Sequence, residues 1–194
     1  MTAEQTDGPR WPRPPEQGYT IDDLLTRDLP PHTELIDGSL VMVPPQRNFH
    51  GVMIDHLVQS LRTARPTGLK IRREMVVVLS DQTALEPDVL VLREDRVSGP
   101  DQVTFRPADL VLAIEVVSPS SQERDRDTKP HKYAGAGIPH YWRIERESDG
   151  RFVAYTFDLD RELSRYRPTG TFINRLITDL PFAVDIDLTE ADRL

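Results

Sequence analysis

Two apolar stretches of strand length each carry one acid where a hydrophobic side chain would be expected. The first, P-D-V-L-V-L at 87–92, has Asp88 near its start; the second, D-L-V-L-A-I-E-V-V at 109–117, holds Glu115 among valines and leucines. Burying a carboxylate there is costly unless a cation or hydrogen-bond donors compensate it. A divalent metal ion satisfies both acids economically, because carboxylate oxygens are the ligands a hard cation takes. An arginine paired with Glu115 in the core would be a purely structural solution. Downstream, Asp125 and Lys129 are four residues apart, a spacing that brings side chains together on a helix. It would let Lys129 reach back to the end of the Glu115 strand, although a solvated helix face has the same spacing.

The elements that must position these residues follow from patterning. The run around Glu115 is the longest apolar stretch in the chain and predicts a strand buried on both faces. Ser118-Pro119-Ser120-Ser121 ends it. A helix then starts near Ser121 or Gln122, or later, near Asp127 or Thr128. The later start places Pro130 in the first turn, where its missing donor and its clash with the backbone near Arg126 do no harm. Upstream, Thr20 caps a short helix to about Arg27, with Ile21, Leu24 and Leu25 on its inner face. Asp37-Gly38 signals a hairpin between strands 34–36 and 39–43.

Glu34 opens that hairpin, either beside the site or as an exposed acid at a strand start. A helix over 48–64 has an apolar stripe at helical spacing, with His50 ahead of the stripe and His56 within the helix. A long strand over 69–79 follows, then a turn at 80–83, the Asp88 strand, and a polar loop over 93–105 suited to a lid. Beyond the Lys129 helix come two strands paired around Ser148-Asp149-Gly150, short strands at 163–166 and 172–177, and an acidic end over 182–194.

Taken in order, P-D, E-V-V-S-P-S, D-x-x-x-K-x-x-x-Y and G-I-P-H-Y-W, with E-L-I-D-G-S-L-V at 34–41 and His50 upstream, resemble the Uma-type restriction endonucleases, a branch of the PD-(D/E)XK nuclease superfamily. The likeness spans roughly residues 20–190. It implies an α/β restriction endonuclease-like core: a mixed central sheet flanked by helices, with an N-terminal β-hairpin and a C-terminal antiparallel extension. It also implies that Asp88 and Glu115 bind a divalent metal. Most of the superfamily has its lysine two residues after the acid, where this chain has Val117. The match to D-x-x-x-K assigns that role to Lys129 on the following helix, with Lys132 as the lesser candidate. Pro130 and His131 depart from the plainly helical family pattern.

The resemblance implies phosphodiester hydrolysis in DNA with Mg2+, or Mn2+ in its place. Asp88, Glu115 and the Val116 backbone carbonyl would be the ligands, and Lys129 would act on the attacking water or the phosphate. Glu34, His50, Ser118 and Asp125 are supporting candidates. A homodimer is expected from the need to cut two strands. The competing readings are a nuclease fold that binds nucleic acid or protein without cutting, and a structural protein with Glu115 in a core ion pair.

Composition narrows the classes. The chain of 194 residues contains no cysteine, which excludes disulfides and thiolate metal sites. Without a membrane-length apolar stretch or a signal-peptide core, it is expected in the cytoplasm. The proline-rich stretch 1–18 reads as a flexible tail containing Trp11, and 19–194 as one domain. A formal charge of -8 runs against duplex binding, where phosphate neutralisation supplies much of the affinity. Basic residues cluster at Arg62, Arg65, Lys70, Arg72 and Arg73, and at Arg161, Arg165, Arg167 and Arg175; each group fits either a phosphate-tracking strip or a solvated face.

Overall fold

The computed structural model describes residues 14–193; most of the predicted tail, including Trp11, lies outside them. Thr20 does cap α1 (Ile21–Thr26), and its side chain and that of Asp23 reciprocally cap the helix start. Leu25, expected on the inner face, is 49% exposed, while Ile21 and Leu24 pack against Tyr19, Leu35 and Ala84. The hairpin forms as β1 (Glu34–Ile36) and β2 (Ser39–Val41). Asp37 and Gly38 both have positive φ, 47° and 76°, the tight-turn geometry their types favour.

α2 (Asn48–Ala64) buries Met53, Ile54, Leu57, Val58 and Leu61 along the expected stripe. The predicted long strand is two strands, β3 (Leu69–Arg73) and β4 (Val76–Ser80), in different sheets. Glu74 breaks it with φ 52°, a left-handed conformation that a glutamate seldom adopts and that its sequence does not announce. β5 (Thr83–Leu85) and β6 (Val89–Arg93) follow, and the 93–105 loop contains a 3-10 turn and the two-residue β7 (Thr104–Phe105). β8 (Leu110–Val116) carries Glu115.

Between β8 and β9 (His140–Arg146), a π-helical turn, Arg124–Thr128, runs into α3 (Lys129–Gly135). The helical path therefore begins at the earlier of the two predicted starts, at Gln122, and Pro130 lies within it rather than in its first turn. The amide of Lys129 bonds the carbonyl of Arg124, one residue further back than an α-helix would, and this wider turn absorbs Pro130 without breaking the helix. β10 (Phe152–Asp160) pairs with β9 around the predicted turn. The expected short strands at the end rearrange: β11 (Arg165–Ile173) is one long strand, Asn174 turns with φ 61°, and β12 (Arg175–Thr178) pairs with β13 (Val184–Asp187). The expected acidic end is thus ordered, with Leu188 and Ala191 of a closing 3-10 turn packed in the core.

The central sheet has order β11-β10-β9-β8-β6-β3 and is mixed, with β8 and β9 parallel and the other pairs antiparallel. Side chains alternate between its faces. Val89 and Val91, with Leu112, Ile114 and Val116, pack toward α2 and the β12-β13 hairpin. Leu90, Leu92 and Ala113 pack toward α3 and the smaller sheet, β2-β1-β5-β4-β7. This period of two sends Glu115 toward α3, away from the α2 side.

Candidate functional site

Sheet register brings the two acids together. Val89 pairs with Ile114 in antiparallel strands, so Asp88, one residue before, stands opposite Glu115, one residue after. The Asp88 Oδ2 accepts the Val116 amide at 2.6 Å, and its Oδ1 lies 3.1 Å from Nε2 of His50, at the start of α2. Glu115 is 1% exposed. Its Oε2 accepts from Lys129 Nζ at 3.0 Å and its Oε1 from the Tyr133 hydroxyl at 2.6 Å.

Lys129 is the hub. Its ammonium lies 3.0 Å from Glu34 Oε1, 3.0 Å from Glu115 Oε2 and 3.6 Å from Asp125 Oδ1. Glu34, one of the two alternatives left open for it, is buried beside this site, and its Oε1 also accepts the Glu86 amide. One cavity of about 650 Å³ is lined by Glu34, His50, Asp88, Glu115, Asp125 and Lys129 together. Of the sequence candidates, Ser118 does not join them. Its hydroxyl bonds Ser120 and Ser121, each at 3.0 Å, in a serine cluster that turns the chain after β8; Ser121 is the member that lines the cavity. Lys132 points elsewhere and reaches Asp37 at the hairpin tip, 2.6 Å away. Val116, the last residue of β8, adjoins the site through its amide.

The charges are unbalanced. Four carboxylates, Glu34, Asp88, Glu115 and Asp125, share one lysine and one histidine. Burial drives the Glu115 carboxyl well above the usual range; Lys129 opposes this, and Asp125, Asp88 and Glu34 add to it. Asp125 is raised by the same burial, again opposed by Lys129. For Lys129 burial works against the charge, but the surrounding acids, Glu115 first, hold its pKa well above the ordinary lysine value. His50 is likewise desolvated, and Asp88 outweighs that to raise its pKa.

Among the described residues, three buried acid oxygens, Glu34 Oε2 and both of Asp125, have no hydrogen-bond partner, although Asp125 Oδ1 is ion-paired with Lys129. Orphaned acceptors among surplus carboxylates are what an all-oxygen cation site offers, so the donor chemistry fits a hard divalent ion; Asp88 and Glu115, whose oxygens are all hydrogen-bonded, would exchange a partner for it. Among the described residues, however, no three His, Asp or Glu side chains already stand as a closed ligand set. Lys129 holds the central place.

Sequence reasoning missed Tyr133 as a partner of Glu115. The signal was present, since Asp125, Lys129 and Tyr133 follow one another at intervals of four and so share a helix face. Burial and the negative charge of Glu115 push its hydroxyl well above the ordinary tyrosine value, so it stays a donor. We expect Tyr133→Phe to lower stability by about 1–3 kcal/mol, the cost of stranding a buried acceptor, read by urea unfolding at neutral pH. An unchanged midpoint and slope would show that the bond contributes nothing. Arg124, Glu74 and Glu86, which also line the cavity, come together only through the tertiary fold.

A mixed sheet flanked by helices, with acids at adjacent strand ends facing a lysine-bearing helix, defines a restriction endonuclease-like protein. The chain belongs to the Uma2 family, described as "Putative restriction endonuclease", whose model matches residues 21–184. It is similar in fold to a solved structure described as a putative nuclease belonging to DUF820 from Anabaena variabilis, with a TM-score of 0.67 at 17% identity over 89% of this chain and 96% of that one. No curated protein matches the chain. No helix among the described residues is long and apolar enough to cross a membrane.

Proposed function

We propose that this protein is a divalent-metal-dependent DNA endonuclease. The observation that carries the reading is the convergence of Asp88, Glu115 and Lys129, with Glu34 and Asp125, on one cavity that retains unpartnered acid oxygens. Asp88 and Glu115, with the Val116 carbonyl, would hold Mg2+ or Mn2+. A bound ion supplies a nucleophilic water near neutral pH and a sink for charge on the phosphate.

The chain's own residues divide the remaining work. Lys129 is positioned to hold the attacking water or to neutralise a phosphate oxygen once Glu115 turns to the cation. Glu34 and Asp125 keep the ammonium in place from the other side, so that it remains charged and aimed at Glu115. His50 orients Asp88 by holding Oδ1, while the Val116 amide holds Oδ2. Tyr133 fixes the second oxygen of Glu115. Two copies of the chain would cut both strands of a duplex.

The reading of a fold that binds without cutting is favoured by one observation: Lys129 already occupies the centre of the acids. Incubating supercoiled plasmid with the protein separates the two. We expect nicking in Mg2+ or Mn2+, none in EDTA, and none with Asp88→Asn. Plasmid that stays supercoiled at every metal concentration, with the protein folded, would remove the nuclease and leave the binding module or a structural ion-pair role.

A further inference from the structure

Many of the chain's cations are already paired with acids. In the two basic clusters of the sequence, Lys70 meets Glu94 at 2.7 Å, Arg73 meets Glu74 at 2.8 Å, Arg167 meets Asp160 at 3.2 Å and Arg175 meets Asp185 at 2.7 Å. Arg65 and Arg72 also donate to backbone carbonyls. These strips are therefore only partly compensated by acids, and all of their paired cations lie outside the site cavity.

The site cavity differs. Arg124, from the π-helical turn, and Arg47, the residue before α2, both line it. Among the described residues neither side chain has an ion-pair or hydrogen-bond partner, and the Arg124 Nε is closed off from solvent with its donor unused. Asp125 is the next residue in the chain and neither of its oxygens has a hydrogen bond, yet it turns to Lys129 and does not meet Arg124. Nδ1 of His50, which is 8% exposed, is likewise without a partner in the same wall. Stranding a buried donor costs about as much as losing a hydrogen bond, and a ligand can recover that cost.

Acid oxygens without a hydrogen bond and guanidinium groups without an ion pair thus share one cavity without meeting. A cation fits the first set and an anion the second. A planar guanidinium pairs with phosphate through two parallel hydrogen bonds, and about 650 Å³ is more room than a single phosphate group needs. We infer that Arg124 and Arg47 form a phosphate-anchoring subsite, which grips a backbone phosphate of the nucleic acid next to the one presented to Asp88 and Glu115. This rests on the nuclease reading for its ligand, and it places a grip on the substrate inside the cleft, beside the reacting phosphate.

The test is binding, kept apart from cutting. A fluorescein-labelled DNA duplex is titrated in Ca2+, which the same oxygen ligands accept, across a series of salt concentrations. Arg124→Gln should weaken binding about ten-fold or more and Arg47→Gln should weaken it too. Each should flatten the salt dependence by about one phosphate contact. Arg124→Lys should keep the slope while losing part of the affinity, and Arg62→Gln, outside the cavity, should change neither. Should Arg124→Gln fail to fold, the exposed Arg47 carries the test.

Wild-type affinity and slope in both glutamine variants would overturn the proposal. So would an equal loss in Arg62→Gln, or a wild type that binds no duplex. A wild type that binds through these arginines but never nicks plasmid in Mg2+ or Mn2+ would remove the nuclease reading and leave the subsite standing.

Discussion

Glu115→Gln is expected to abolish plasmid nicking, by at least about 10³-fold, while leaving the fold intact. The size follows from the role: a cation ligand at the reacting phosphate contributes water activation and charge stabilisation together, and a neutral amide replaces neither. The fold should survive because the amide oxygen can still accept from Lys129 while its NH2 donates to the Tyr133 hydroxyl oxygen, and Lys129 retains Glu34 and Asp125. Burying Glu115 is itself costly, as its raised pKa indicates, so the variant's stability at neutral pH should lie within about 1 kcal/mol of wild type or above it. Urea unfolding beside the nicking assay separates the two effects. A variant that still nicks at the wild-type rate would place catalysis elsewhere, and one that loses several kcal/mol would make Glu115 a structural ion-pair residue.

Lys129→Met carries the largest expected effect on stability. It removes the one ammonium that Glu34, Glu115 and Asp125 share while all three remain at most 2% exposed. Breaking a buried pair from one side typically costs about 3–5 kcal/mol, because the stranded charge has no water to return to. The pH dependence has a definite sign. Burial raises the Glu115 and Asp125 pKa values in the folded chain even with the lysine present, so the folded state holds protons that the unfolded chain has released. Stability from these groups is therefore greatest in acid and falls as pH rises from about 4 through their folded values. Without Lys129 to oppose the shift, the deficit should be small near pH 4–5 and full at neutral pH. Chemical denaturation across that range checks it; a deficit independent of pH would mean that lost packing, and not stranded charge, is responsible. Nicking should also be lost throughout.

How far the site could be read from sequence depended on how local its signals were. Glu115 stood out because a carboxylate inside an apolar run has no inexpensive explanation, and Lys129 because its spacing from Asp125 fits one helical turn. Asp88 was legible only as a partner, since an acid after a proline at a strand start is ordinary until β6 and β8 are set in register. Glu34 stayed ambiguous for the same reason: nothing near it in sequence says that Lys129, far along the chain, would cover it. Ser118 bonds within its own serine cluster, a contact that its sequence neighbours alone do not announce. The fold was missed where the chain turns without glycine, at Glu74 and Asn174. There tertiary pairing overrides the usual reluctance of side-chain-bearing residues to enter the left-handed region. Pro130 looked like a helix breaker and is tolerated because the preceding turn is wider than α.

The central claim is that these acids form a cation site serving hydrolysis, and calorimetric titration of Mg2+ and Mn2+ into wild type and Glu115→Ala tests it most directly. The account predicts saturable binding to the wild type and none to the variant, with nicking appearing over the same metal range. A folded wild type that takes up neither ion would contradict it, and the cluster around Lys129 would then be an ion-pair network that holds α3 to the sheet.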